Sequence, residues 1–254
     1  MKKYLFSILI IFAFIEAFAL MAKASPGMMG SVGSGATAPS PILQDFTTFT
    51  NVSTGFTVVN ATSITYTSLP SQSNSSYVYK DFGVGYFRVN FTHYVDMVLT
   101  SFTGVGDSLA VVWELSNNVG AMMGNNAANG YLLVYVIGSA GTGISHINIE
   151  EGVGSGISYD SNSYPTSGAL SAGSTYYLSI VRNSSVGTYG TLYCYVYDTS
   201  AHRLAGGGTG LLGTLSVTLH NNNTWEYLYA ASSWNNVSLS GTITGSMSNL
   251  TIVH

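Results

Sequence analysis

Thr191-Leu192-Tyr193-Cys194-Tyr195-Val196-Tyr197 is the stretch that decides the fold class. Residues two apart on a strand share a face. Leu192, Cys194 and Val196 therefore form an apolar side, and Tyr193, Tyr195 and Tyr197 an aromatic one. Alternation of this kind marks a half-buried strand, and it places Cys194 in the core as a small apolar residue. Working outward, Trp225-Glu226-Tyr227-Leu228-Tyr229 repeats the pattern with its aromatic residues on one face. Ser108–Leu115 is nearly continuous in apolar residues, so it reads as a central strand covered on both sides.

The rest of the chain follows suit. Further strands are expected at Gly55–Val59, Ser63–Ser68, Gly83–Phe91, Tyr94–Phe102, Tyr131–Gly138, Gly143–Glu150 and Thr175–Arg182. The last ones are expected at Leu212–Leu219, Val237–Thr244 and Met247–Val253. Each is rich in Val, Ile, Thr, Tyr or Phe and bounded by turn formers. Beyond the N-terminal region no eleven-residue window carries a helical period. Many short strands at close spacing give an all-β, antiparallel two-sheet β-sandwich of jelly-roll type, one domain over residues 42–254.

Composition narrows the function. Charged residues make up 7% of the chain, against roughly 25% in ordinary soluble proteins. With 46% apolar residues the chain is nonetheless no candidate for disorder, which needs low hydrophobicity and high net charge. Its surface must be built from Ser, Thr, Asn, Gly and Tyr. A net charge of −4 offers no basic patch, which argues against nucleic acid as a partner. The single Cys excludes an intramolecular disulfide, so stability has to come from the core.

The N-terminus carries Lys2 and Lys3, an apolar run from Tyr4 to Met21, and Ala22-Lys23-Ala24. That order is a signal peptide over residues 1–24, with cleavage after Ala24. A retained membrane helix is the competing reading, at the cost of Glu16 within the run. Residues 25–41 are Gly- and Pro-punctuated and read as a flexible arm or linker. Eight Asn-x-Ser/Thr acceptors follow, at Asn51, Asn60, Asn74, Asn90, Asn183, Asn222, Asn236 and Asn249. Together these make a secreted or cell-surface glycoprotein, touching membrane only through an uncleaved leader.

The order of segments resembles the concanavalin A-like jelly rolls shared by legume lectins and laminin-G-like domains. Gly106-Asp107 before Leu109-Ala110-Val111-Val112 is similar to the lectin strand pair. Leu170–Val181, Gly190–Tyr197 and the closing Tyr227–Ser232 and Gly241–Ile252 segments are similar in order to laminin-G strands. The resemblance implies a jelly roll with a lectin-like carbohydrate-binding role. Two departures stand beside it: the lectin metal motif of alternating acidic residues is not matched, nor is the Glu-x-Asp-x-x-Glu signature of jelly-roll glycosidases.

Glycoside hydrolysis needs two carboxylates on one cleft. Glu114 and Glu226 sit inside strands among apolar or aromatic neighbours and could meet across a sheet; equally, each could be a lone strand carboxylate. Glu150 and Glu151 are adjacent, so they point to opposite faces. Gly206-Gly207-Gly208 reads as a hairpin tip. Calcium is a possible structural partner at Asp160-Ser161-Asn162 or Asp107, though either is equally an Asx turn; no other cofactor and no metal motif is expected. Sugar stacking falls to Tyr193, Tyr195, Tyr197, Trp225, Tyr227 and Tyr229, which could equally fill a sheet or a protein interface.

No catalytic constellation stands out, so the sequence points first to a non-enzymatic structural or adhesive subunit. It would assemble with copies of itself through β-edges into a filament or coat, with residues 25–50 as a donated arm. A lectin-like module binding glycans is the alternative, and a jelly-roll glycoside hydrolase the third reading.

Overall fold

The computed structural model describes residues 40–52, 54–71, 76–104, 106–121, 130–139, 143–234 and 240–253. The expected leader, most of the expected arm, and the acceptors Asn74 and Asn236 lie outside the described residues. The strands are β1 (Ile42–Leu43), β2 (Thr50–Val52), β3 (Phe56–Asn60), β4 (Ser63–Pro70), β5 (Tyr77–Asp81), β6 (Phe91–Thr103), β7 (Asp107–Ser116) and β8 (Tyr131–Ser139). They continue as β9 (Ile144–Gly154), β10 (Ile157–Asp160), β11 (Thr175–Asn183), β12 (Thr191–Tyr197), β13 (Leu211–Thr218), β14 (Tyr227–Ser233) and β15 (Thr242–Val253). One short helix, α1 (Ser200–Ala205), stands between β12 and β13.

The strands form two antiparallel sheets. Sheet A has the order β13-β12-β11-β6-β15-β4-β3, with β1 beside β15. Sheet B has the order β10-β9-β8-β7-β14-β5-β2. This is the jelly-roll β-sandwich that the strand pattern predicts. The apolar sides of both sheets meet in one continuous core, to which β12 contributes Leu192, Cys194 and Val196, all fully buried. Each aliphatic side chain buried there contributes about 1.5–3 kcal/mol from lost apolar hydration. A buried polar pair ties the sheets together: Trp113 Nε1 of β7 donates to His93 Nδ1 of β6 at 2.9 Å.

Three details differ from the sequence reading. Gly83–Phe91 is not a strand, because Gly83 and Gly85 take left-handed φ values of 92° and 71° and bend the chain; the strand is Tyr77–Asp81 just before it. The two strands expected after residue 237 are one, β15, which runs through Gly245. A side chain at Gly245 would collide with the Val98 carbonyl and the Tyr66 hydroxyl, so glycine is what lets the strand pass. Gly206–Gly208 does lie in the β12–β13 connection, but a helix precedes it. That helix is capped by the Thr199 side chain at one end and by Gly206 at φ 66° at the other, and it is too short to show a period in sequence.

Two bulges matter for function. The register of β7 shifts between Val111 and Trp113 against β8, and that of β14 shifts between Tyr229 and Ala231 against β5. Each inserts one residue, so Val112 and Trp113, like Ala230 and Ala231, all face the core. Past each bulge the alternation is inverted. In β7 this turns Glu114 onto the side of sheet B that faces away from the core, where Tyr229, ahead of its own bulge, already stands.

Candidate functional site

That outer side of sheet B is where the chemistry collects. Register fixes a cross-strand row: Thr50 pairs with Tyr79, Tyr79 with Tyr229, Tyr229 with Glu114, Glu114 with Leu133, Leu133 with Glu150, and Glu150 with Asp160. Directly paired residues share a face. Glu114 and Glu150 thus stand on one face with a single strand between them. Two strand spacings put their Cα atoms about 10 Å apart. A neighbouring row holds Ser116, Tyr131 and Gly152. Another holds Val111, Tyr135 and Asn148.

The face is apolar beneath and polar at selected points. Leu109, Val111, Tyr131, Leu133 and Tyr135 pack as a second cluster, with Ile137 and Trp234 against them. Glu114 is 0% exposed and Glu150 3%. After β7 the chain folds back toward this side: Tyr229 Oη donates to the Asn118 carbonyl at 2.6 Å and accepts from Gly120 N at 3.1 Å. Tyr229 also stacks on Tyr79 at 5.6 Å between ring centroids.

Glu150 is held in an unusual state. Burial pushes its carboxyl up from 4.5 to about 7, against the opposing pull of hydrogen bonds from Tyr131 and Ser158; the nearby Asp160 charge raises it further. Tyr131 Oη donates to Glu150 Oε1. Burial, and then the charge of Glu150, push the Tyr131 phenol above its ordinary value, so it stays a donor. A carboxyl that is half protonated near neutrality can give up a proton to a leaving group. His146, on the same face of β9, is pushed below the ordinary imidazole value by burial.

Glu151 points the other way, as adjacency requires. Its Oε2 accepts from His220 N at 2.8 Å and its Oε1 from Asn221 N at 3.3 Å, and Tyr159 stacks on the His220 ring at 3.5 Å. This carboxylate anchors the chain after β13. Glu226 precedes β14 and is half-buried. The register pairs Glu114 with Tyr229 and gives it Glu150, not Glu226, as the carboxylate on its row. Of the two readings of Glu114 and Glu226, a meeting across the sheet is thereby excluded.

The six residues expected to bind sugar are divided among three places. Tyr193, Tyr195 and Tyr197 lie on the outer side of sheet A, where the Tyr193 and Tyr195 rings are parallel within 12° at 5.9 Å. Tyr227 and Tyr229 lie on the outer side of sheet B. Trp225 is in the core, 2% exposed. Asp160 belongs to β10 rather than to a loop, beside Glu150. Among the described residues no group of three His, Cys, Asp or Glu side chains is placed to hold a metal.

No family model and no curated protein matches the sequence. Solved structures of similar layout do. Alginate lyase Aly36B shares 12% identity over 86% of this chain and 98% of its own, with a TM-score of 0.46. The family 7 alginate lyase A1-II′ shares 12% over 80% and 84%, with a TM-score of 0.45. The GH43 protein BlXynB of Bacillus licheniformis shares 12% over 83% of this chain and 39% of its own, with a TM-score of 0.46. The solved structures of similar layout are named as alginate lyases and a GH43 protein, not as filament or coat subunits, and the expectation of a non-enzymatic structural or adhesive subunit is not carried further. On sheet B a pair of buried carboxylates, Glu114 and Glu150, shares one cross-strand row that the sequence reading did not bring together.

Proposed function

We propose that this chain is a carbohydrate-active enzyme that hydrolyses glycosidic bonds on the outer side of sheet B. The observation that supports this is the Glu114–Leu133–Glu150 row, with Glu150 held protonated toward neutral pH. Glu150 is the general acid. It gives its proton to the leaving glycosidic oxygen as the bond from that oxygen to the anomeric carbon breaks. Glu114 is the general base. It takes a proton from a water whose oxygen forms the new bond to that carbon. A Cα separation of about 10 Å is on the scale of inverting rather than retaining glycosidases, whose carboxyl groups stand far enough apart to admit a water. Tyr131 positions Glu150 and keeps its own proton.

Kinship with concanavalin A-like and laminin-G-like proteins is part of the proposal and rests on the order of segments. So is a place outside the cell, supported by the N-terminal leader, with glycans on exposed acceptors such as Asn60, Asn90 and Asn222. Sequencing the mature N-terminus and mapping glycopeptides test both. The stacked Tyr193–Tyr195 pair favours a second, non-catalytic sugar contact on sheet A.

The experiment is a reducing-end assay on a panel of polysaccharides, with Glu114→Gln and Glu150→Gln as controls. Release by the parent and its loss in both variants is expected. Release that survives in both variants would sink the assignment.

A further inference from the structure

The strands of sheet B carry one Lys or Arg among the described residues, Lys80. It is paired with Leu228, a core residue, and so lies on the core side of β5. Its ammonium reaches Thr48 Oγ1 at 3.2 Å and lies over the Phe49 and Phe82 rings. Of the other cations after the leader, Arg88 is exposed in the connection after β5, while Arg182 and Arg203 serve sheet A. The outer side of sheet B meanwhile presents Asp81 and Asp160 exposed toward its two edges, with Glu114 and Glu150 buried on the row between them. A polyanion on this face would meet the carboxylates of Asp81 and Asp160 with no guanidinium or ammonium to pair with. Like-charge juxtaposition in a desolvated site rejects a ligand strongly.

The same face keeps neutral hydrogen-bonding groups in reserve. Trp234 Nε1 and Asn148 Oδ1 are buried without a hydrogen-bond partner among the described residues. Both flank Tyr135: Trp234 packs on its ring at 5.5 Å, and Asn148 Nδ2 donates to its hydroxyl at 3.0 Å. A buried donor and a buried acceptor beside an aromatic face suit a sugar, which offers hydroxyls at its rim and C–H groups on its ring. Asn148 lies two residues from Glu150 on the same side of β9, so a sugar held there borders the carboxylate row.

We infer that the substrate is an uncharged glycan, with one sugar residue seated on Tyr135, Trp234 and Asn148; a uronate or sulfated polymer is excluded. This rests on the hydrolase reading above and specifies its substrate. The test separates the two. Affinity electrophoresis of the full chain, carrying Glu114→Gln so that nothing is degraded, is run in gels containing a neutral β-glucan, a neutral xylan or alginate. Retardation in a neutral gel and none in alginate is expected. Trp234→Phe, which removes the indole N–H together with part of the ring face, and Asn148→Ala each weaken that binding by about tenfold, with unchanged circular dichroism. Retardation by alginate alone, or neutral binding untouched by both variants, overturns the inference. Neutral binding that both variants weaken, combined with no hydrolysis by the parent, upholds the sugar site and removes the hydrolase reading instead.

Discussion

Replacing Glu150 by Gln should change how folding stability depends on pH. The carboxyl rises from 4.5 to about 7 in the folded chain, chiefly through burial. One pH unit of such a shift is worth about 1.4 kcal/mol, so the full rise corresponds to about 3 kcal/mol. The sign follows from proton binding. Between pH 4.5 and 7 the folded chain holds a proton here that the unfolded chain has lost. Stability from this group is therefore fully present below about pH 4.5, falls as pH rises through 7, and is level above that. Gln cannot ionise, yet its carbonyl still accepts from Tyr131 Oη and its amide can donate to Asp160. The assay is urea denaturation of parent and Glu150→Gln at pH values from 4.5 to 8.5. The stability of the parent relative to the variant should drop by about 3 kcal/mol across that range. Parallel curves with a constant offset would refute the reasoning, since they would mean that Glu150 titrates alike in both states.

Other substitutions probe what holds α1 to sheet A and what holds the two sheets to each other. Arg203 of α1 is 7% exposed, pairs with Asp96, and lies over the rings of Tyr94 and Tyr177. Arg203→Ala leaves Asp96 buried without its cation and should cost about 3–5 kcal/mol in chemical denaturation, with Arg203→Lys between that variant and the parent. Trp113→Phe removes the donor that Trp113 gives to His93 Nδ1 between the sheets. It should cost about 1–3 kcal/mol, and a loss below about 0.5 kcal/mol would show that the bond is immaterial.

The fold was legible because burial imposes a strict period. Leu192, Cys194 and Val196 alternate with tyrosines and lie fully buried in the core as read. Ser108–Leu115 is central and covered on both sides, as its continuous apolar run implies. The site was not legible, and the reason is one inserted residue. Alternation counted through Ala110 and Val112 puts Glu114 among core residues; the bulge beside Trp113 puts it outside. No local signal in Val111-Val112-Trp113 marks the bulge, because all three residues suit either side. Glu150 was read as facing away from Glu151, which is right, but its partner lies 36 positions earlier in the chain and is brought near by the β7–β8–β9 meander. The edge strands β2 and β10 are too short to show a period. The dividing of Tyr193–Tyr197 from Tyr227 and Tyr229 depends on which sheet each strand joins, a long-range property that side-chain alternation does not carry.

The central claim is that Glu150 supplies the proton and Glu114 activates the water. The most direct measurement compares kcat/KM on a neutral oligosaccharide and on the matching dinitrophenyl glycoside, whose leaving group needs no protonation, for the parent, Glu150→Gln and Glu114→Gln. Glu150→Gln should lose about 10²–10⁴-fold on the oligosaccharide and stay near the parent on the aryl glycoside, while Glu114→Gln loses activity on both. Equal losses by Glu150→Gln on the two substrates, or an oligosaccharide rate untouched by either substitution, would contradict it.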